Sequence, residues 1–411
     1  MIDPDSLNIW FEDQLVGHLW RNKTSAVGFR YASNWIAQNG FAISQTLSIT
    51  EEEYTPDDGI AHRFFANLLP EGGVRDHIVR DLKIHNTDFE LLRAIGGECA
   101  GALSILPVER TPSTDNKYRS LDEAELEQLI IRRGQIYTAV PPEDRPRLSL
   151  AGAQDKCPVL LKDGYYFLPE REAPSSHILK FEVRDYRHLP AYETFTTLLA
   201  KKIGLPVVDI ELHQLHETSF AQIKRYDRLW ESRQLIRLHQ EDFCQALGYG
   251  FDKKYQQHGG PSFADCYQLV QDISTDPVID TQNLLRWQIF NYLAGNSDGH
   301  AKNLSLLYYR SGEIRLAPYY DLICTRAIER IDALLAFDIG GQRDPGHVTE
   351  KHWQELANQC DVSARFLKSL LSESSDLLLD NLEATKILFE EQYGEYPALQ
   401  RIEHVVKQQC R

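Results

Sequence analysis

Asp298 and Asn303 are five positions apart in a run that reads Asn296, Ser297, Asp298, Gly299, His300, Ala301, Lys302, Asn303. A second carboxylate, Asp321, comes after a stretch patterned as a strand hairpin. These side chains suit phosphoryl transfer from a nucleotide. One carboxylate meets the acceptor hydroxyl, while an amide oxygen and a second carboxylate hold the magnesium that clamps the phosphates. An Asp followed at this interval by an Asn is common by chance, and Asp298 also fits an ordinary turn ahead of Gly299. The pair gains meaning only from the elements that would position it.

Upstream, residues 149–156 read Ser-Leu-Ala-Gly-Ala-Gln-Asp-Lys. The small side chains of Ala151, Gly152 and Ala153 let backbone N–H groups come close to phosphate oxygens. The run is neither a Walker loop nor a Gly-x-Gly-x-x-Gly loop, and a plain loop entering a strand explains it as well. An apolar strand over 159–161 and a returning strand at Tyr165, Tyr166, Phe167 and Leu168 enclose Asp163 and Gly164, a hairpin signal. Residues 177–181, His-Ile-Leu-Lys-Phe, form a β-rich run with Lys180 at an inward-facing position. Protein kinases carry a phosphate-pairing Lys on such a strand, and a solvated strand Lys gives the same pattern. A helix over 190–203 comes next, with a stripe of Phe195, Leu198, Leu199 and Ile203, stopped by Gly204 and Pro206. Its Glu193 either pairs with Lys180 or favours the helix N-terminus. Strands over 207–212 and 220–226 complete a small sheet with one helix ahead of a helical remainder, the element order of a kinase.

On these residues, and on 178–181 (Ile-Leu-Lys-Phe), 224–228 (Lys-Arg-Tyr-Asp-Arg), 240–248 (Gln-Glu-Asp-Phe-Cys-Gln-Ala-Leu-Gly) and 318–322 (Pro-Tyr-Tyr-Asp-Leu), the chain resembles the HipA serine/threonine-kinase toxins of HipBA-type toxin–antitoxin systems. The amino-terminal third shares the resemblance through 67–72 (Asn-Leu-Leu-Pro-Glu-Gly), Arg75, Ile95, Gly96 and 101–107. It runs in order from near residue 1 to near residue 400. It implies an α+β, two-lobed protein-kinase-like fold in three segments: an additional N-terminal α+β subdomain (1–108), a kinase N-lobe with its phosphate loop (109–228), and a mainly helical C-terminal lobe (229–411).

The resemblance also implies the roles. Asp298 is the catalytic base or hydroxyl-orienting carboxylate, and Asn303 and Asp321 are the magnesium ligands. Lys180 pairs the α/β-phosphates of ATP, covered by the backbone of Ala151, Gly152, Ala153, Gln154 and Lys156. Lys224, Arg225 and Tyr226 occupy the hinge, presenting backbone to the adenine edge with Tyr226 on the ring, and Gln240 lies near the nucleotide. His300 contacts phosphate or braces the loop, and Lys302 neutralises charge on the transferring group or is structural. Ser149 is a self-phosphorylation site or merely caps a turn. The partners implied are a small helix-turn-helix antitoxin of the HipB kind, operator DNA mainly through that antitoxin, and an aminoacyl-tRNA synthetase as substrate, glutamyl-tRNA synthetase foremost.

Composition agrees with a cytoplasmic enzyme. The 411 residues contain no run of 18 apolar side chains, and the first five residues lack the basic character of a signal peptide. Seven scattered cysteines without a Cys-x-x-Cys pair read as reduced thiols, and the 14 histidines show no His-Glu-x-x-His pattern, so no disulfide framework, zinc site or membrane span is expected. A net charge of −16 disfavours autonomous DNA binding and suits a basic partner, though solubility alone also explains it. Two other readings stay open: a small-molecule phosphotransferase of the aminoglycoside type, and a catalytically silent antitoxin-binding corepressor. Patterning further predicts strands over 7–11 and 41–43, helices over 62–69, 87–95 and 121–133, a linker over 111–119 and a mobile loop over 134–148. Helices are expected in the last third over 263–273, 283–295, 352–357 and 363–379.

Overall fold

The computed structural model describes residues 6–113, 115–135, 146–152, 154–183, 186–216 and 218–411. Most of the 134–148 loop and Ala153 lie outside them. The fold is α+β, and the chain forms two compact units interleaved in sequence: Met1–Phe181 with Lys224–Phe251 and Leu307–Arg310, and Glu182–Ile223 with Asp252–Leu306 and Ser311–Arg411.

The first unit opens with a five-stranded sheet in the spatial order Glu53–Tyr54, Val27–Tyr31, Gln14–Arg21, Ser6–Phe11, Leu103–Pro107, with every neighbouring pair antiparallel. Period-two burial of Leu7 and Ile9, and of Phe29 and Tyr31, turns one face into a core. Helices Ile60–Ala66 and Asp88–Ile95 contribute Phe64, Phe65, Leu92 and Ile95 to the buried set. Thr87 caps the second helix by accepting the Glu90 N–H. A second antiparallel array in this unit orders Tyr118–Ser120, Tyr165–Pro169, Lys156–Lys162 and His177–Phe181, with Asp163 and Gly164 as the two-residue hairpin turn. Helix Glu123–Ile131 leads in through a capping box between Asp122 and Glu125.

The same unit buries an ion network. Arg225 reaches Glu98 at 2.9 Å and Asp227 at 2.7 Å, and Arg228 reaches the same two carboxylates at 2.9 and 2.8 Å. The N–H groups of Ser175 and Gly101 donate to Glu98 and Asp227 at 2.9 and 2.8 Å. Each buried carboxylate is thus both paired and hydrogen-bonded, the condition under which charge is tolerated away from water.

The second unit holds helix Leu189–Lys202, all but the last residue of the antiparallel hairpin Ile210–Leu215 and Thr218–Lys224, and five further helices: Phe263–Ile273, Pro277–Ala294, Glu350–Gln359, Ala364–Tyr393 and Leu399–Gln409. Pro277–Ala294 is its central rod, with Leu284, Trp287, Ile289, Phe290 and Leu293 all buried. Trp287 stacks on Tyr319 at 5.9 Å, and Phe195 meets Phe389 edge-on at 5.5 Å.

Four sequence expectations shift. Residues 41–43 are not a strand, because side chains take their backbone groups: Trp35 Nε1 donates to Phe41 O and the Ile43 N–H donates to Tyr31 OH. The linker expected over 111–119 ends in a paired strand, Tyr118–Ser120. The helix expected from 283 begins at Pro277, whose place in the first turn needs no N–H, behind an Asp276 cap. The helix expected to end at 379 runs to Tyr393, since no Gly or Pro interrupts it before Gly394, and the final helix Leu399–Gln409 lies beyond the elements expected.

Candidate active site

The segment carrying Asp298 leaves the C-terminus of helix Pro277–Ala294 and is tied back to it at once. The Asn296 N–H donates to Asn291 O at 2.9 Å, and Asn296 Nδ2 donates to Asn291 Oδ1 at the same distance. Asn296 Oδ1 then accepts the Asp298 N–H at 3.1 Å, an Asx turn that aims the next residues. A Cβ at Gly299 would lie 2.5 Å from Asn291 Nδ2, so the tight approach of loop to helix requires glycine there. Thr325 Oγ1 accepts the Ser297 N–H at 2.7 Å. The backbone of Asp298 is therefore fixed from both sides.

Downstream the turn closes on itself. Asp298 O accepts from the His300 N–H at 2.9 Å and from Asn303 Nδ2 at 3.3 Å. The second bond commits the amide nitrogen of Asn303 and turns its Oδ1 to the other side, where it suits a hard cation. The interval between Asp298 and Asn303 is thus one closed turn, completed by the short helix Ala301–Asn303. Tyr320 OH holds the Lys302 carbonyl at 2.8 Å. Its neighbour Asp321 has φ of 55°, the left-handed region that Asp tolerates better than most residues and that clusters at functional sites. Among the described residues no three His, Cys, Asp or Glu side chains gather into a metal-binding group. A magnesium ion held by Asn303 and Asp321 would complete its shell from nucleotide phosphates and water, its usual manner of binding.

His300 is buried, and burial pushes its imidazole down to about 3, with Lys254 and Lys302 adding to the effect and Asp321 opposing it. It is a neutral ring at physiological pH, and its buried Nδ1 has no hydrogen-bond partner among the described residues. The ring of Tyr255 meets it edge-on at 5.0 Å. Tyr255 OH also donates to Asp298 Oδ1 at 2.5 Å.

In the first unit, antiparallel register sets Lys156 directly opposite Lys180. Lys180 is buried. The loop before it is held by two of its own side chains and by a distant backbone group: Lys156 Nζ donates to Ala151 O at 2.7 Å, Gln154 Nε2 to Phe181 O at 3.2 Å, and the Glu71 N–H to Gly152 O at 3.1 Å. Ser149 is fully buried, donating its hydroxyl to Leu68 O at 2.8 Å and its N–H to Glu98 O at 2.9 Å. Tyr226 OH bonds Gln240 Oε1, and Gln240 Nε2 reaches Asp227 Oδ2 at 3.2 Å. Lys224 is exposed at the strand end.

Arg225, expected at the hinge, is tied into the sheet and the ion network. Its N–H donates to Ser176 O at 3.0 Å and its guanidinium joins the buried ion network, which leaves its carbonyl as the backbone group for an adenine edge. No local sequence pattern marks Tyr255, whose bond to Asp298 comes from a segment 43 residues away. Asn291 did leave a signal, as a polar residue among Trp287, Phe290 and Leu293 on a buried helix.

Residues 7–106 match the HipA N-terminal domain, and residues 148–381 match the HipA-like C-terminal domain. The Sinorhizobium fredii protein Y4mE, which is named as a kinase, is 34% identical over 404 residues, spanning 91% of this chain and 94% of that one. The serine/threonine-protein kinase toxin HipA of Shewanella oneidensis is 30% identical over 84% of this chain and 80% of its own. The structure of Shewanella oneidensis HipA, solved with HipB and its operator DNA, superposes with a TM-score of 0.83 at 26% identity, covering 98% of this chain and 96% of that one.

Proposed function

This chain belongs to the HipA family of serine/threonine-protein kinase toxins, and from that premise we propose that it transfers the γ-phosphoryl group of ATP, with magnesium, to a hydroxyl of a protein. The observation that carries the chemistry is the closed turn in which Asp298 and Asn303 share one hydrogen-bonded loop. Asp298 orients the acceptor hydroxyl and takes up its proton, while Asn303 and Asp321 hold magnesium. When bound, magnesium neutralises charge developing on the transferring group. Lys180 and the 149–156 backbone cradle the phosphates, and Tyr226 with Gln240 lies on the nucleotide side. His300, neutral and buried, braces the loop rather than adding charge, and Lys302 supplies the positive end of the site.

The partner is a small helix-turn-helix antitoxin, by analogy with the Shewanella protein crystallised with HipB and operator DNA. The acidic balance of the chain, 60 acidic against 44 basic side chains, leaves operator contact to that partner. The substrate is an aminoacyl-tRNA synthetase, glutamyl-tRNA synthetase first. Among the described residues no helix is long and apolar enough to cross a membrane. The purified chain, incubated with γ-labelled ATP, magnesium and glutamyl-tRNA synthetase, is expected to label a protein. Label on a small metabolite, or none at all, would refute the reading.

Ser149 is the proposed site of self-phosphorylation. Its hydroxyl is enclosed against Leu68 O, so modification requires the segment to come out of that seat. A phosphate of about −1.5 to −2 charge then keeps it out, since the buried position has no room for such a group, and opposes ATP phosphates nearby. Peptide mass spectrometry of the active protein is expected to find phosphate at Ser149, absent from Asp298→Asn protein expressed alone. Phosphate at Ser149 in both would place the activity in another kinase.

A further inference from the structure

We propose that Tyr255 is the positioning residue for the Asp298 carboxylate, an inference that rests on Asp298 being the group that orients the acceptor hydroxyl. Every backbone group of Asp298 is already tied, to Asn296, His300 and Asn303. A fixed backbone still leaves an Asp side chain free to rotate, and a carboxylate that must meet a hydroxyl in one orientation needs a bond of its own. The phenol O–H of Tyr255 donates that bond to Oδ1 at 2.5 Å. It comes from a segment 43 residues earlier in the chain.

That segment is built to hold the phenol still. The carbonyl of Tyr255 accepts from the His258 and Gly260 N–H groups at 3.0 and 3.2 Å, closing a tight turn. The turn admits only glycine at 260, where a Cβ would lie 1.9 Å from Lys253 O. Lys254 O accepts the Ala301 N–H at 3.3 Å, which docks the turn on the Asp298 loop itself. Gln256 exchanges two hydrogen bonds with Asp338, its Nε2 donating at 2.5 Å and its Oε1 accepting the Asp338 N–H at 3.0 Å. The Tyr255 ring packs edge-on against both His300, at 5.0 Å, and His258, at 5.6 Å, and the Lys254 ammonium lies 5.7 Å from its centroid. The phenol is therefore held by its backbone, its ring and its flanking residues, and its hydroxyl ends on the reacting carboxylate.

Tyr255→Phe keeps the ring contacts and removes only the donor. A hydrogen bond to a charged group is worth enough that its loss lowers kcat by about 10- to 10²-fold, with KM for ATP within about twofold and the protein still folded at the assay temperature. The assay is phosphoryl transfer from ATP to glutamyl-tRNA synthetase and to the chain itself, on four proteins: wild type, Tyr255→Phe, Asp298→Asn and the double variant. Tyr255→Phe is expected to slow the wild type and to add nothing to Asp298→Asn, because its effect passes through that carboxylate. Full kcat in Tyr255→Phe beside an inactive Asp298→Asn would overturn the positioning role and leave the base in place. An equal loss in both backgrounds would also overturn it, making Tyr255 merely structural. Wild-type transfer by Asp298→Asn would remove the base assignment, and the role of Tyr255 with it.

Discussion

Asp298→Asn lowers phosphoryl transfer by about 10²- to 10⁴-fold while ATP affinity stays within about twofold. The substitution is isosteric, and Tyr255 OH still finds an oxygen to donate to, so the loop of Asn296, His300 and Asn303 keeps its bonds. What disappears is the negative charge proposed to orient the acceptor hydroxyl and receive its proton. Asp321→Asn is the instructive contrast: as a proposed magnesium ligand it should weaken metal-dependent nucleotide binding as well as turnover. Single-turnover transfer together with equilibrium nucleotide binding separates the two variants. Near-full turnover in Asp298→Asn would move the base elsewhere.

Glu98→Gln destabilises the protein by about 3–5 kcal/mol, because it removes one anion from a buried set and leaves two guanidinium groups to share Asp227. Burial opposes ionisation of Glu98, but Arg225 and Arg228 outweigh it and hold its carboxyl at about 2. Asp227 is likewise held below the ordinary carboxylate range against burial, chiefly by Arg225 and then Arg228. A carboxylate whose folded pKa is depressed contributes stability above its unfolded pKa and loses it as pH falls through the folded one. The contribution of Glu98 is therefore complete above about pH 4.5, its ordinary value, and fades towards pH 2. Denaturant titrations at pH 7 and pH 3 should show wild type losing stability on acidification more steeply than Glu98→Gln. A variant within about 1 kcal/mol of wild type at pH 7 would mean that the arginines find other partners.

The parts of this site that could be read in sequence are those closed by neighbours in the chain. Asp298 and Asn303 meet across a single turn, and the hairpin around Asp163 and Gly164 is dictated by the residues that make it. The parts that could not be read are closed by distant partners. Tyr255 gains its meaning only when a separate segment docks on Ala301, and the ion pair of Arg225 is invisible locally because its partner Glu98 lies 127 residues away. Residues 41–43 carry strand composition, but Tyr31 and Trp35 claim their backbone groups before any strand can. Helix ends failed for a simpler reason: a cap at Asp276 or a stop at Gly394 overrides the apolar period inside the helix.

The ion network around Glu98 ties the first hundred residues to the segment that carries Arg225 and Arg228. Glu98, and the carbonyls of Cys99 and Gly101 that Arg225 and Arg228 also reach, lie within the segment matching the HipA N-terminal domain, while both arginines flank Tyr226. A protein trimmed to begin after residue 108 would keep every residue assigned to phosphoryl transfer and lose the anion that two interior cations depend on. Such a fragment is expected to be insoluble rather than merely unregulated. That outcome would make the amino-terminal segment a structural prerequisite of the residues after it, not a detachable accessory.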